Sequence, residues 1–171
     1  MRRKGKKVDW TWGWLGGCVW LGLSLLGTSA SWAAEPPFEA CCIQVIDGDT
    51  FIIRTADHTE QRVRLHGVDS PEIDQPFGLK ARQFTAQHLL DQWVTLQRVT
   101  EDAQQVPLVK VFISDTLFNH TIVAAGYAWR YTRYLSSPQI AVLEHQARKS
   151  RQGLWLEPHP TPPWEWRRRK K

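Results

Sequence analysis

Two short runs of apolar residues separated by an Asp-Gly pair place the strongest constraint on the fold of this chain. Residues 43–46 (Ile-Gln-Val-Ile) precede Asp47-Gly48, and residues 51–53 (Phe-Ile-Ile) follow soon after. Such a pair between apolar runs is typical of a tight turn, because these two residue types tolerate the backbone angles that hairpin turns need. The pattern therefore predicts a β-hairpin, which residues 63–65 extend to a third strand.

The rest of the body adds two strands and three helices. Residues 78–90 carry apolar side chains at three- and four-residue spacing, which predicts a helix with one face inward. Residues 93–96 and 108–113 predict two more strands. A second helix is expected to be capped by Asn119 and to end near residue 125, and a third to span 138–151. Because the strands follow one another with little helical interleaving, an antiparallel barrel is favoured over a doubly wound parallel sheet.

The basic charge of the chain lies at its two ends. The formal net charge is +5, of which residues 1–33 carry +4 and residues 157–171 carry +3. Residues 34–156, the part large enough to bury a core, therefore carry −2. Net charge alone gives no argument for a basic nucleic-acid groove in the folded body.

The N-terminus has the composition of an export signal. Basic residues are followed by an uncharged run over 10–34, whose most apolar part, 15–26, is shorter than the roughly 20 residues that a spanning helix prefers. Small residues before position 34 favour cleavage, so residues 1–33 are predicted to be a signal peptide of a secreted or periplasmic protein. The alternative is an uncleaved membrane anchor over 10–34. Residues 34–40, with Pro36-Pro37, are predicted to be a linker.

The C-terminal tail, residues 157–171, is rich in proline and tryptophan and ends in five consecutive basic residues. We expect this tail to be disordered and weakly attracted to polyanions.

At the other end of the body, Cys41 and Cys42 are adjacent, and Cα atoms ~3.8 Å apart would strain a disulfide between them. Free thiols, a labile bridge and an intermolecular disulfide all remain open.

Two short acidic segments contain the residues best suited to chemistry. Asp49 and Asp69 are 20 residues apart, near the ends of strands that we expect to neighbour each other. A close pair of carboxylates is unfavourable unless a proton or a hard cation lies between them, and calcium and magnesium both accept such oxygen ligands. The Ser70 carbonyl is a candidate third ligand. Taken singly, each segment is also a common turn, with Ser70 as a helix cap.

Arg64 and Glu72 flank the second carboxylate. The planar guanidinium of arginine matches a phosphate group, and a glutamate beside a metal-bound water can orient or deprotonate that water. A metal, an arginine and a carboxylate together indicate phosphodiester hydrolysis. The six histidines show no pair at helical ligand spacing, so metal catalysis through histidine is not expected.

Over about residues 41–155 the chain resembles the staphylococcal nuclease (thermonuclease) family. Beyond the two acidic segments, the stretches 78–84, 125–128 and 151–155 agree in order and spacing. The resemblance implies a mainly β fold with helices (α+β), a five-stranded oligonucleotide-binding (OB-fold) barrel with three helices, as a domain over 41–156.

The resemblance also implies roles for individual side chains around a calcium ion. It implies that Ca²⁺ is held by Asp49, Asp69 and the Ser70 carbonyl, with Asp47 behind the metal, Arg64 on the phosphate and Glu72 at the attacking water. Tyr131 and Tyr134 stand where the family stacks nucleotide bases, and Lys110 is a further candidate nucleotide contact.

One position departs from the family pattern. Family members carry a second phosphate-binding arginine before the fifth strand, and this chain has Val106 there. Loss of one such charge costs on the order of 10²-fold or more in rate. Lys110 and Arg98 are the nearest basic residues that could substitute in part.

The sequence therefore predicts an exported, calcium-dependent endonuclease that hydrolyses DNA and RNA with little sequence preference and with reduced activity. Its partners would be single-stranded or duplex DNA and RNA, and no protein partner is implied. It would contact a membrane only if the signal segment is uncleaved. The alternative is a catalytically weak or inactive barrel that binds nucleic acid or another polyanion. A third hypothesis is an interaction protein that uses Cys41, Cys42 and the tryptophan-rich ends.

Overall fold

The computed structural model describes residues 36–133 and 137–170. The predicted signal peptide (1–33), its alternative as an anchor over 10–34, and Tyr134 lie outside the described residues. The strands are β1 (Phe38–Val45), β2 (Thr50–Thr55), β3 (Glu60–Leu65), β4 (Val68–Asp69), β5 (Trp93–Glu101), β6 (Pro107–Ile113), β7 (Thr116–Leu117) and β8 (Trp129–Arg130). The helices are α1 (Gly78–Leu89), α2 (Phe118–Ala124), α3 (Pro138–Lys149) and α4 (Pro163–Arg169), and a 3-10 turn spans Gly153–Leu156.

Five of the strands close into a barrel. Their order is β3-β2-β1-β5-β6, with antiparallel neighbours, and β3 pairs with β6 in parallel through Arg64 opposite Leu108. Closure leaves the barrel itself without a free edge. The predicted five-stranded α+β barrel is confirmed, and the described residues form four α-helices where three were expected.

The predicted hairpin forms the start of the barrel, and its turn is held by a side chain. The Asp47 carboxylate accepts hydrogen bonds from the backbone N–H groups of Asp49, at 3.0 Å, and Thr50, at 2.7 Å. This is the turn that short aspartate side chains stabilise. A Cβ atom on Gly48 would lie 2.7 Å from the Ser70 side chain and 2.8 Å from Ala81 Cβ. Glycine at this position therefore lets the hairpin turn approach the second acidic segment and α1.

Alternating side chains of the strands fill the barrel. Phe51 and Ile53 of β2, and Val63 and Leu65 of β3, are buried, as the two-residue period of a strand with one inward face requires. Burying each such side chain contributes about 1.5–3 kcal/mol. The helix α1 adds Leu89 to the same core. A second, smaller cluster lies outside the barrel and consists of Trp129, Ala147, Leu154 and Trp155, with Phe77 and Trp164 packed against it.

Asn119 is not the helix cap that the sequence predicted. The helix α2 begins at Phe118, and Asn119 is buried within its first turn. Its side-chain oxygen accepts a hydrogen bond from Val111 N–H at 3.0 Å, and its amide nitrogen donates to the carbonyls of His66, at 3.0 Å, and Val109, at 3.1 Å. A buried asparagine satisfies its polar atoms in this way, and here it joins α2 to β6 and to the loop after β3.

The C-terminal tail also differs from the prediction. Residues 163–169 form α4 rather than a disordered tail, and Pro163 is buried. The Trp164 ring lies 5.9 Å from that of Trp129 and 5.8 Å from that of Tyr131. The tail folds because the large apolar surface of Trp164 is buried against the body of the protein. The prediction of disorder considered only the charge and proline content of the tail and took no account of this burial.

Within the described residues no helix has the length and apolar character needed to cross a bilayer.

Cys41 and Cys42 are free thiols. Cys42 lies in the barrel core, and its burial raises the pKa of the thiol to about 11. Within the part of the chain that the structure describes, Cys41 and Cys42 form no disulfide with each other.

Candidate active site

Two buried aspartates meet where the first hairpin touches β4. Asp49 is 4% exposed and Asp69 is 6% exposed. The backbone N–H of Ser70 donates to one Asp49 carboxylate oxygen at 3.0 Å, and the Thr50 hydroxyl donates to the other at 2.9 Å. Because Ser70 follows Asp69 directly, this bond brings the two acidic segments together. The structure thus brings the Asp49 carboxylate into contact with the backbone of the second acidic segment.

Burial and mutual repulsion perturb this acidic cluster. Burial raises the pKa of Asp69 to about 6, and the charge of Asp49 adds to the rise while Arg167 opposes it. Burial, followed by the charge of Asp49, raises the pKa of Asp47 to about 8. Raised carboxyl pKa values mean that the folded cluster resists carrying its full negative charge. A positive charge placed among these groups would relieve that cost.

Arg64 provides one such positive charge. It stands near the end of β3, and its Nε donates to the Thr50 hydroxyl at 3.1 Å and lies 3.6 Å from an Asp49 oxygen. Its Nη1 reaches Asp102 at 3.4 Å. Since its side chain remains 34% exposed, the guanidinium is held from the protein side and still faces solvent. It can meet a phosphate without first having to be ordered.

A second guanidinium, which the sequence analysis did not identify, lies on the other side of the cluster. Arg167 Nη1 is 2.7 Å from Glu72 Oε1 and 3.1 Å from Asp69 Oδ1, and its Nη2 is 2.8 Å from Asp69 Oδ2. The hydrogen bond to Asp69 is the largest influence on Arg167 and raises the pKa of its guanidinium. The only sequence signal for this contact is the Trp-Glu-Trp-Arg run at 164–167, which composition alone assigns to a solvated tail.

A cleft of about 680 Å³ opens beside these groups. Four arginines line it, namely Arg64, Arg133, Arg167 and Arg168, together with Asp69, Asp102 and Tyr131 among others. Lys110 and Arg98 are not among its described lining residues. Lys110 instead acts electrostatically on His66 and His120, and Arg98 donates to Gln61 at 3.2 Å. Of these two predicted nucleotide contacts, Tyr131 lines the cleft and Lys110 is not among its described lining residues.

Val106 lies in the turn between β5 and β6, close to the cleft. Its backbone N–H donates to Asp102 Oδ1 at 3.0 Å, and the Asp102 N–H donates back to the Val106 carbonyl at 2.9 Å. Ala103 and Gln104 of the same turn line the cleft. The turn is therefore formed and positioned, but it carries an apolar side chain at this residue.

The donor set suits a hard cation, although it is small. Among residues 36–133 and 137–170 there is no group of three or more His, Cys, Asp or Glu side chains that could hold a metal ion. Asp49 and Asp69 supply carboxylate oxygens, and the third predicted ligand, the Ser70 carbonyl, belongs to the backbone. Hard oxygen donors of this kind are what calcium accepts. In this structure the Asp69 carboxylate is paired with the Arg167 guanidinium.

The fold and the site together define a class. A closed five-stranded barrel with several arginines along one cleft is a barrel of the oligonucleotide-binding type. A family model described as "Staphylococcal nuclease homologue" matches residues 62–157. The chain belongs to this staphylococcal nuclease family.

Several characterised and uncharacterised proteins are similar to this chain. It is 33% identical over 159 residues to a micrococcal nuclease of Shigella flexneri, covering 86% of this chain and 88% of that protein. It is 33% identical over 129 residues to an uncharacterized endonuclease of Escherichia coli O157:H7, covering 75% of this chain and 84% of that protein. An uncharacterized 38.1 kDa protein of Capnoides sempervirens is 34% identical over 110 residues, which are 64% of this chain but 32% of that longer protein.

Proposed function

We propose that this protein is an exported, calcium-dependent nuclease that hydrolyses phosphodiester bonds in DNA and RNA with little sequence preference. The observation that carries the proposal is a connected group of charged side chains beside one cleft. It runs from Arg64 to Asp49, through the Ser70 N–H to Asp69, and through Arg167 to Glu72. These are the residue types that phosphodiester hydrolysis needs, and they come from four separate parts of the chain.

The roles of the side chains follow from their places. Asp49 and Asp69, with the Ser70 carbonyl, would hold calcium, and a bound divalent ion supplies positive charge that stabilises the phosphate in the transition state. Glu72, partly exposed beside Asp69, orients a water molecule and takes its proton. Arg64 presents a planar set of donors to the phosphate oxygens. Asp47 fixes the turn that carries Asp49.

The names of the relatives support the substrate class. The Shigella flexneri protein is named a micrococcal nuclease and the Escherichia coli protein an uncharacterized endonuclease, and each aligns with at least three quarters of this chain at 33% identity. The composition of residues 1–33 supports export. The valine at position 106 supports a rate below that of a site with an additional arginine.

The test is a cleavage assay with the purified full chain. Single-stranded DNA and RNA oligonucleotides are incubated with calcium, and product length is followed by gel electrophoresis. We expect turnover by the native protein and a loss of at least about 10²-fold in Asp69→Ala. Glu72→Gln, which keeps the size of the side chain but removes the base, should lose a comparable factor. Equal rates for the native protein and Asp69→Ala would exclude a catalytic role for this site.

One structural feature favours a second candidate, a binding module without catalysis. Arg167 forms ion pairs with both Asp69 and Glu72 in this structure, and carboxylates already paired with a guanidinium would bind calcium weakly. Such a module would bind nucleic acid through the arginines of the cleft, with an affinity that falls steeply as salt increases. Salt-sensitive binding of DNA without any product in the cleavage assay would support this candidate over the nuclease.

A further inference from the structure

We propose that α4 is an autoinhibitory segment, whose Arg167 occupies the carboxylates of Asp69 and Glu72 and has to leave them before calcium binds there. This inference rests on the proposed function and adds a means of regulation to the same site. The helix α4 (Pro163–Arg169) follows residues 62–157, the part of the chain that matches the family model. The segment that covers the carboxylates is therefore distant in sequence from the two acidic segments that form the site.

Arg167 uses the oxygen atoms that a calcium ion would need. Its Nη2 donates to Asp69 Oδ2 at 2.8 Å and its Nη1 donates to Asp69 Oδ1 at 3.1 Å, so both oxygens of this carboxylate accept a hydrogen bond from it. Nη1 also donates to Glu72 Oε1 at 2.7 Å. One guanidinium thus holds both carboxylates on this side of the site.

Calcium and Arg167 compete for Asp69. Calcium lies about 2.3–2.6 Å from its oxygen ligands. An ion on either oxygen of Asp69 would therefore lie within about 6 Å of the guanidinium nitrogen that is bonded to that oxygen. Two positive charges at this distance repel each other strongly where burial limits screening by water, and Asp69 is 6% exposed. Binding of one cation therefore weakens binding of the other.

The contacts that hold the end of α4 can break without unfolding the barrel. The structure describes all seven residues of this helix, and of these only Pro163 is buried. Near its end, the Trp166 indole N–H donates to Asp74 at 3.2 Å, and the Lys170 ammonium pairs with the same carboxylate. The side chains of this ion pair are 51% and 55% exposed, and exposed pairs contribute little stability. A helix this short is not stable by itself, so its end can leave the body once its pairs are lost.

The start of α4 is held in a different way. The Trp164 ring lies 5.9 Å from that of Trp129 and 5.8 Å from that of Tyr131. A divalent ion does not compete with this apolar packing, whereas it does compete with the ion pairs that Arg167 makes. Calcium should therefore release the end of α4 and leave its first residues in place.

The affinity for calcium, measured by isothermal titration calorimetry on the full chain, tests the competition. Arg167→Gln should lower the Kd for calcium by about tenfold or more, because the competing charge is removed. The matched control is Arg169→Gln, which removes the same charge from an exposed position on the same helix outside the described lining of the cleft. Its Kd should stay within about twofold of the native value, because water and salt screen a charge at the surface.

Asp74→Ala separates autoinhibition from a simple effect of charge. This change removes an acidic group near the site, so electrostatics alone would weaken calcium binding. It also removes two contacts that hold the end of α4, so autoinhibition predicts the opposite result, a Kd about threefold lower. In the native chain, calcium should speed up amide hydrogen exchange over residues 167–170, read by mass spectrometry, and leave that of the barrel strands unchanged.

The outcomes distinguish this inference from the proposed function. The inference is wrong if Arg167→Gln and the native chain bind calcium equally, if Asp74→Ala binds it more weakly, or if bound calcium leaves exchange over 167–170 unchanged. Cleavage of DNA together with any of these results leaves the nuclease proposal standing alone. Tighter calcium binding by both variants, with no cleavage by any of the proteins, would support the competition and overturn the nuclease. No calcium binding by any of them would contradict both.

Discussion

Removing the side-chain amide of Asn119 should destabilise the protein and disturb the site together. In Asn119→Ala, Val111 N–H and the His66 carbonyl lose the partners they have at 3.0 Å. The Val109 carbonyl keeps a bond from His66 N–H at 2.8 Å, so its loss is small. Loss of a hydrogen-bond partner by a buried polar group costs about 1–3 kcal/mol, so for the two groups the expected loss is about 2–6 kcal/mol.

The connection to the site comes from the position of His66. It lies in the short loop between Arg64 at the end of β3 and Asp69 in β4, so releasing its carbonyl loosens the spacing of these two residues. We therefore expect the cleavage rate of Asn119→Ala to fall even at temperatures where the variant is fully folded.

Urea denaturation of the full chain, followed by circular dichroism, measures the change in stability. Thr121→Ala on the same helix is the control, because its hydroxyl makes only one long contact, 3.5 Å from the Leu117 carbonyl. It should cost less than about 1 kcal/mol. A loss of less than about 1 kcal/mol in Asn119→Ala would refute the reasoning that these three bonds hold the loop in place.

Three further predictions follow from single positions. Val106→Arg should raise the cleavage rate by about tenfold or more, since it adds a guanidinium to a turn that borders the cleft, and an unchanged rate would contradict this. The pKa of Asp47 is about 8 in the folded protein and 3.8 for the free side chain. As the pH rises from 4 to 8, the unfolded chain therefore loses this proton before the folded protein does, and the free energy of unfolding of the metal-free protein falls. Asp47→Asn should remove that fall and be more stable at pH 8 by about 1–3 kcal/mol in urea denaturation, because each pKa unit is worth about 1.4 kcal/mol and water screens part of it. An iodoacetamide pulse at pH 8 with mass spectrometry should label half-buried Cys41 and spare Cys42, whose buried thiol stays protonated; equal labelling of both would contradict the core position of Cys42.

The barrel was predictable because its signals are local. The Asp47-Gly48 pair and the alternating residues of β2 and β3 lie within a few positions of one another, and a two-residue period directly reports which side chains face inward. The helix α1 was predicted almost to the residue for the same reason. Strand order then predicted that the segments of Asp49 and Asp69 would meet, and the hydrogen bond from Ser70 N–H to Asp49 joins these segments.

The features that could not be predicted from the sequence depend on contacts between residues far apart in the chain. Asn119 is a common cap residue, and only the approach of β6 and the loop after β3 makes it a buried bridge. Arg167 follows its partner Asp69 by 98 positions, and no periodicity joins them. The tail folds because Trp164 finds a surface formed by other elements. Contacts of this kind are set by tertiary packing, which local patterns do not encode.

The central claim is that Asp49 and Asp69 bind a divalent ion at which nucleic acid is hydrolysed. The most direct measurement is the rate of single-stranded DNA cleavage by the full chain as a function of calcium concentration, for the native protein and for Asp49→Asn in parallel. The account predicts a rate that rises with calcium to a plateau in the native protein, vanishes with a chelator, and is at least about 10²-fold lower in the variant at every concentration. Cleavage that persists in chelator, or that is equal in the two proteins, would contradict it.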